Sequence, residues 1–184
     1  LKFSDVNAEQ SPAGIFCLKF KELVEERTEG RVQIENYFGG TLTANNIEGT
    51  QTGIADLSQH DVSEVTDLCA ALSILEAPFL FDSEEELFKV TAPESPIMDR
   101  LNEELSGTGV RLLATYSWGN QNLLTTSKPV YCEEDLKGMK IRVIPSQIFM
   151  ETMSAMGATP SPMGWSEVVT SLITKMIDGT GMPF

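Results

Sequence analysis

Apolar and polar positions alternate in short runs along this chain, then repeatedly switch to helical spacing. Residues 1–6 (LKFSDV) carry the period of two expected of a strand. Residues 7–10 are polar, and Ser11-Pro12 then predicts a helix start, with serine as cap and proline in the first turn. That helix runs to about Thr28, with Phe16, Phe20, Leu23 and Val24 as its inward stripe, and Gly30 stops it. Residues 31–38 alternate again, placing Val32, Ile34 and Asn36 on one side. Strand, helix, strand is the unit that builds parallel sheets. A short helix over 45–53 and a brief strand over 54–58 follow, ending in the polar run Gln59-His60-Asp61. Residues 68–81, closing in APFLF, are the most apolar stretch and predict a buried segment.

The second half repeats the alternation. Ser83–Glu86 forms a capping box for a helix to about Ala92. Ser95-Pro96 opens the next helix, with Ile97, Met98, Leu101 and Leu105 inward. Residues 110–116 read as a strand and 123–130 as extended. Residues 133–146 (EEDLKGMKIRVIPS) read as a helical turn, Gly138, a strand and the start of a helix carrying Phe149, Met150, Met153 and Met156 on its core face. Residues 159–162 form a rigid extended link, and Ser166 caps a helix with Val169, Leu172, Ile173 and Met176 inward. This order predicts an α/β protein of two lobes, 1–122 and 123–184, because strand pairing has to switch near residues 118–124.

Composition narrows the partners. With 13 Lys+Arg against 27 Asp+Glu the net charge is −14, so nucleic acid and anionic membrane surfaces are excluded. No apolar run approaches the length of a membrane span. The strand pattern already opens at Leu1, which predicts a mature chain without a leader peptide. Cys17, Cys69 and Cys132 form neither a CxxC nor a metal spacing, and neither a metal nor a cofactor is expected. Buried free thiols are the leading reading, with one disulfide left open.

The strand over 140–144 carries one charge among apolar neighbours. Ile141 and Val143 share a face and Arg142 takes the other. An unpaired buried charge is costly, and the planar guanidinium suits a carboxylate. Arg142 therefore reads either as the grip on an anionic ligand or as half of an internal ion pair. His60, the sole histidine, has no second histidine or suitably placed cysteine near it and reads as a loop residue before a base or metal ligand. No G-x-S-x-G elbow and no G-x-G-x-x-G loop are present, which leaves a small α/β enzyme acting on an organic acid only as an alternative.

Several stretches together carry a family resemblance: ELVEERTEGRVQIENYFGGTL from Glu22, QTGIADLS from Gln51, APFLF from Ala77, GVRLLATYSWG from Gly109, SKPV from Ser127, EDLKGMKIRVIPS from Glu134, MGATPSPMGWSEV from Met156 and the closing Asp178-Gly179 pair. In this order, over essentially the whole chain, they resemble the DctP-type solute-binding proteins of TRAP (tripartite ATP-independent periplasmic) transporters. The resemblance implies a two-lobed periplasmic-binding-protein-like fold, type II-like. It implies an extracytoplasmic receptor that closes over a small organic acid between its lobes and delivers it to a TRAP membrane permease. It also implies a periplasmic location, a monomer, and a chain lacking the C-terminal part of longer family members. By the same resemblance Arg142 holds the ligand carboxylate and Trp165 packs on the ligand, the alternative for Trp165 being a lobe-core aromatic. Gln121, Asn122 and Gln147 are candidate donors, and the loops carrying Asn7, Gln59 and His60 match places where family members touch ligand. Two positions depart from the pattern. Gln121 stands where a second arginine is frequent, which favours a monocarboxylate or polyhydroxy acid over a dicarboxylate. Gly181-Met182 stands where a polar asparagine is common.

Overall fold

The strand–helix–strand reading of the first 38 residues holds in the computed structural model, which describes residues 1–183. β1 (Lys2–Ser4) is the middle strand of a parallel sheet, flanked by β2 (Glu35–Tyr37) and β3 (Leu57–Ser58). α1 (Pro12–Arg27) joins β1 to β2, and Ser11 Oγ caps it by accepting the Gly14 N–H at 3.1 Å. Its buried seam is Ala13, Gly14 and Cys17, while the expected Phe16, Phe20 and Val24 pack half-buried around a core of Phe3, Cys17 and Ile34. Small residues take the centre because backbone comes close. A Cβ at Gly14 would meet the Ala8 and Glu9 carbonyl oxygens at 2.5 and 2.3 Å, so the glycine lets the polar loop after β1 fold down onto α1.

α2 (Asn46–Gln51) and α3 (Val62–Val65) bracket β3, capped by the side chains of Asn45 and Asp61. The apolar stretch over 68–81 departs from expectation. It forms a 3₁₀ segment, Ala70–Glu76, in which Leu72 is buried, and Cys69 just before it is buried too, but Ile74 is 56% and Phe79 98% exposed. Three residues per turn align Cys69, Leu72 and Leu75 on one edge and turn Ile74 away from it. α4 (Glu84–Val90) starts at the expected Ser83 cap and α5 (Pro96–Glu104) at Ser95-Pro96. The strand expected over 110–116 has no ladder. Leu112 instead pairs with one side chain, its N–H donating to Asn102 Oδ1 and its carbonyl accepting from Asn102 Nδ2, both at 2.9 Å.

The second sheet runs β4-β7-β5-β6, from β4 (Gln121–Thr125), β5 (Lys140–Val143), β6 (Thr159–Pro162) and β7 (Gly179–Pro183). β5 is parallel to β6 and β7, and β4 is antiparallel to β7. α6 (Gln147–Ala155) links β5 to β6, and α7 (Trp165–Ile173) links β6 to β7. The core here is Leu136, Met139, Ile141 and Ala158, joined by Met153 and Met156 from the methionine stripe. Gly179 is obligatory in β7, because a Cβ there would sit 2.5 Å from the Leu124 carbonyl oxygen. α7 starts one residue before the expected cap, from Gly164. It buries Val168 and Ser171, while Val169, Ile173 and Met176 are 61, 76 and 62% exposed. All three thiols are free, but Cys132 is exposed rather than buried.

Contacts divide the chain into two compact units, Leu1–Ala70 with Met98–Leu113, and Ala71–Ile97 with the chain from Ala114 onward. The single boundary expected at 122/123 falls inside β4, whose ladder to β7 ties those residues to the second unit.

Two predictions arise in the first unit. Asn36 continues the inward row of Val32 and Ile34, yet its Oδ1 and Nδ2 are buried and, among the described residues, have no hydrogen-bond partner. An unsatisfied amide costs about 1–3 kcal/mol. Asn36→Val is therefore expected to raise the thermal midpoint by roughly 3–6 °C in a circular-dichroism melt, and a drop would mean that the amide is satisfied. The second concerns Cys17, 1% exposed, whose pKa is raised by burial and by the Asp5 charge from the usual 9.0 to about 12. Because the folded chain holds this proton more tightly, its contribution to stability is complete below pH 9 and is lost as the pH climbs toward 12. Melts between pH 8 and 11 should show a decline that is shallower in Cys17→Ala, and equal slopes would contradict the buried-thiol assignment.

Candidate functional site

In the second unit, the inward alternation of β5 buries Ile141 and Val143 to 0 and 5% exposure and leaves Arg142 on the opposite face, still only 7% exposed. The parallel register pairs Arg142 with Ser161 on β6 and Thr180 on β7. One step beyond β6, the Met163 N–H donates to the Val143 carbonyl at 3.3 Å. The Met163 carbonyl in turn accepts Arg142 Nε–H at 3.0 Å. Trp165, the first residue of α7, lies with its ring centroid 5.6 Å from the guanidinium carbon. The Met163 carbonyl and the Trp165 ring are thus two of the contacts that orient the guanidinium. Trp165 is 51% exposed.

The other sequence candidates of this unit gather at the same end of the sheet. Ser146 follows the carboxyl end of β5 and is the backbone cap of α6, and its Oγ donates to Glu76 Oε2 at 3.4 Å. Gln147 is exposed in the first turn of α6, with its Nε2 donating to Glu151 Oε1 at 2.7 Å. Gln121 and Asn122 pair with Pro183 and Met182, three and two residues past Thr180 in β7. At about 3.3 Å per residue that is roughly 7–10 Å beyond the Arg142 level, toward the carboxyl ends of β5 and β7. Both are exposed, and Asn122 Nδ2 donates to the Asn120 carbonyl at 2.8 Å.

Asn7, Gln59 and His60 belong to the first unit and follow the carboxyl ends of β1 and β3. Sequence reasoning missed what holds them. Asp5, 1% exposed, accepts both the main-chain and the side-chain N–H of Asn7 at 2.8 Å. Ser4 Oγ donates to Asn46 Oδ1 at 2.7 Å, and Asn46 Nδ2 donates to the Gln59 carbonyl at 3.3 Å. Cys17 Sγ donates to Gln59 Oε1 at 3.3 Å and lies 3.7 Å from Asp5 Oδ2. The available signal was the polarity of Ser4 and Asp5 in an otherwise strand-like run, and it did not single out either residue.

His60 closes a second relay, and the far end of that relay sets its direction. The Asn46 carbonyl can only accept, so Thr50 Oγ1 donates to it at 2.9 Å. Ser58 Oγ then donates to Thr50 Oγ1 at 2.6 Å, and His60 Nε2–H donates to Ser58 Oγ at 2.7 Å. Nδ1 faces Glu64 Oε2 at 3.3 Å. Ser58, His60 and Glu64 are connected as a nucleophile, base and acid would be. Ser58 Oγ nonetheless also faces Thr50 Oγ1 at 2.6 Å, so its hydroxyl is engaged in the relay to α2. Among the described residues no cluster of His, Cys, Asp and Glu is placed to hold a metal. A groove of about 980 Å³ in the first unit, lined among others by Lys2, Glu9, Lys21, Glu25 and Asn36, contains none of these residues. Its Lys21 is already paired with Glu25 at 2.9 Å.

Comparison with known proteins identifies the family. Residues 3–184 match the family model described as bacterial extracellular solute-binding protein, family 7. The 2,3-diketo-L-gulonate-binding periplasmic protein YiaO of Escherichia coli is 29% identical over 185 residues, covering 100% of this chain and 56% of the relative. A TRAP periplasmic solute-binding protein of Ochrobactrum anthropi, solved with bound L-fuconate, superposes with a TM-score of 0.86 at 30% identity, covering 100% of this chain and 61% of that one. Another from Chromohalobacter salexigens, solved with D-glucuronate, gives 0.86 at 27%, covering 98% and 60%. The chain spans about half the length of the curated relatives it matches. No described helix is long and apolar enough to cross a membrane. The chain belongs to the bacterial extracellular solute-binding proteins of family 7, the DctP family, whose members bind solutes for transporters rather than catalyse reactions.

Proposed function

We propose that the chain belongs to a periplasmic receptor for a small polyhydroxy acid with a single carboxylate, which it hands to a TRAP permease, and that its two units are the receptor's two lobes. Arg142 carries this reading. A guanidinium 7% exposed, oriented in part by the Met163 carbonyl and the Trp165 ring, suits one carboxylate gripped at two points. Trp165 offers an apolar wall to a sugar-like carbon chain. Asn7, Gln59, His60, Gln121, Asn122 and Gln147 are the proposed polar contacts for hydroxyl groups. The neutral Gln121 argues against a second carboxylate. Relatives solved with D-glucuronate, L-fuconate and D-erythronate bind acids with one carboxylate and several hydroxyls, whereas relatives 31 and 28% identical are named as C4-dicarboxylate-binding proteins, so the choice of a single carboxylate rests on Gln121. The receptor is proposed to act as a monomer and without a cofactor.

A thermal-shift screen on the longest natural form of the protein should include these three acids, D-galacturonate and succinate. At least one sugar acid is expected to raise the melting temperature, since a ligand that binds only the folded state stabilises it. No shift from any of them would sink the proposal. Arg142→Ala is expected to weaken binding by about 100-fold, from the loss of a charge-assisted pair, with an unchanged circular-dichroism spectrum. Unfolding of that variant would identify Arg142 as structural. Gln121→Arg is expected to move preference toward succinate, and unchanged selectivity would remove Gln121 from the site.

A further inference from the structure

Gln59 is held from inside the first unit at two points. Its carbonyl accepts from Asn46 Nδ2, and its side-chain Oε1 accepts from the Cys17 thiol, each at 3.3 Å. The thiol stands beside Asp5 Oδ2 at 3.7 Å, and Asp5 Oδ1 takes both Asn7 donors at 2.8 Å. Cys17 and Asp5 are each 1% exposed, so water does not compete for these bonds. A carboxamide presents an acceptor at one end and two donors at the other, and rotation by half a turn exchanges them. With Oε1 engaged by the thiol, the Nε2 donors are the end left for another partner, and among the described residues they have none.

We propose that Cys17 is a positioning residue for ligand recognition: its S–H pins the Gln59 carboxamide so that this residue offers donors to the oxygens of a bound acid. The inference rests on the reading of Gln59 as a ligand contact. The ligand chemistry supports it, since a carboxylate is an acceptor only and a flipped amide would set a carbonyl oxygen against it. The thiol keeps its proton at neutral pH, because burial and the neighbouring Asp5 charge push its pKa up to about 12. The relay also joins the two loops, because the Asp5 carboxylate that holds Asn7 lies against the thiol that holds Gln59.

The test is calorimetric titration with D-galacturonate and D-glucuronate on the longest natural form of the protein. It compares wild type, Cys17→Ala, Cys17→Ser, Gln59→Ala and the double variant Cys17→Ala/Gln59→Ala. Cys17→Ala should weaken binding about five- to tenfold, the scale of one buried neutral hydrogen bond. Cys17→Ser, which keeps a donor, should recover most of the loss. The double variant should bind no worse than Gln59→Ala alone. Wild-type affinity in Cys17→Ala, or losses that multiply in the double variant, would overturn the proposal. If Cys17→Ala does not fold, Cys17→Val fills the same space without a donor and takes its place. A second arm needs no ligand. The Gln59 side-chain ¹H–¹⁵N pair should be sharp and well dispersed in the wild type and averaged in the donor-less variant, and identical spectra would overturn the proposal. If neither uronate binds the wild type, that result counts against Gln59 as a uronate contact, and the spectra alone decide whether Cys17 positions it.

Discussion

The second unit is organised by one constraint, a guanidinium held on a middle strand of its sheet. Taking such a charge out of water is unfavourable unless its donors meet partners, and only a few backbone positions can supply them. Here the parallel register supplies one. β5 and β6 pair Arg142 with Ser161, and the ladder runs one step past β6, from Met163 N–H to the Val143 carbonyl. That step presents the Met163 carbonyl to Arg142 Nε, and two residues later α7 begins with Trp165. The grip on the guanidinium, the end of a strand and the start of a helix are therefore one local event. Shifting the β5–β6 register by a single residue would move all three, because it would turn Arg142 toward the core occupied by Ile141.

The first unit solves the opposite problem. Its candidate contacts are neutral side chains in a chain of net charge −14, and beneath them lies a buried carboxylate, Asp5. Asp5 accepts both N–H groups of Asn7, and the Cys17 sulfur lies 3.7 Å from its Oδ2. A long-range field of this sign slows the approach of an anion, so the proposed function requires a local attraction, which it assigns to Arg142. Neutral donors in the first unit add contacts without adding charge.

Much of this was legible in the sequence, for identifiable reasons. The α1 cap at Ser11-Pro12, the parallel unit it opens and the strand around Arg142 follow from local chemistry that tertiary structure did not override. The family resemblance supplied roles that spacing could not. What failed depended on distant backbone. The strand expected over 110–116 found the Asn102 side chain rather than a neighbouring strand. The stripe of α1 shifted to Ala13, Gly14 and Cys17 because a loop packs against the helix. The outward turn of Val169 and Ile173 on α7 was not readable from periodicity, since Val168 and Leu172 fit the same helical spacing. The relay through Cys17 was invisible because a lone thiol in a sequence says nothing about the two acceptors beside it.

Small polyhydroxy acids have little apolar surface, so a receptor for them cannot rely on buried area. Each hydroxyl must exchange water for a protein partner, and the gain survives only where that partner is already in place. A site built on hydrogen bonds also discriminates more strongly than an apolar one, because a wrong ligand leaves a polar group unsatisfied. Both arguments put a premium on fixed donors and acceptors. The relay from the Asn46 carbonyl through Thr50 and Ser58 holds the His60 ring in place. The Cys17 sulfur lies between Asp5 and Gln59, 3.7 Å from Asp5 Oδ2 and 3.3 Å from Gln59 Oε1. The two arrangements meet at Asn46, whose side chain also holds the Gln59 backbone. Disturbing Asn46 would thus loosen both side chains at once, although it belongs to α2 and is itself 4% exposed.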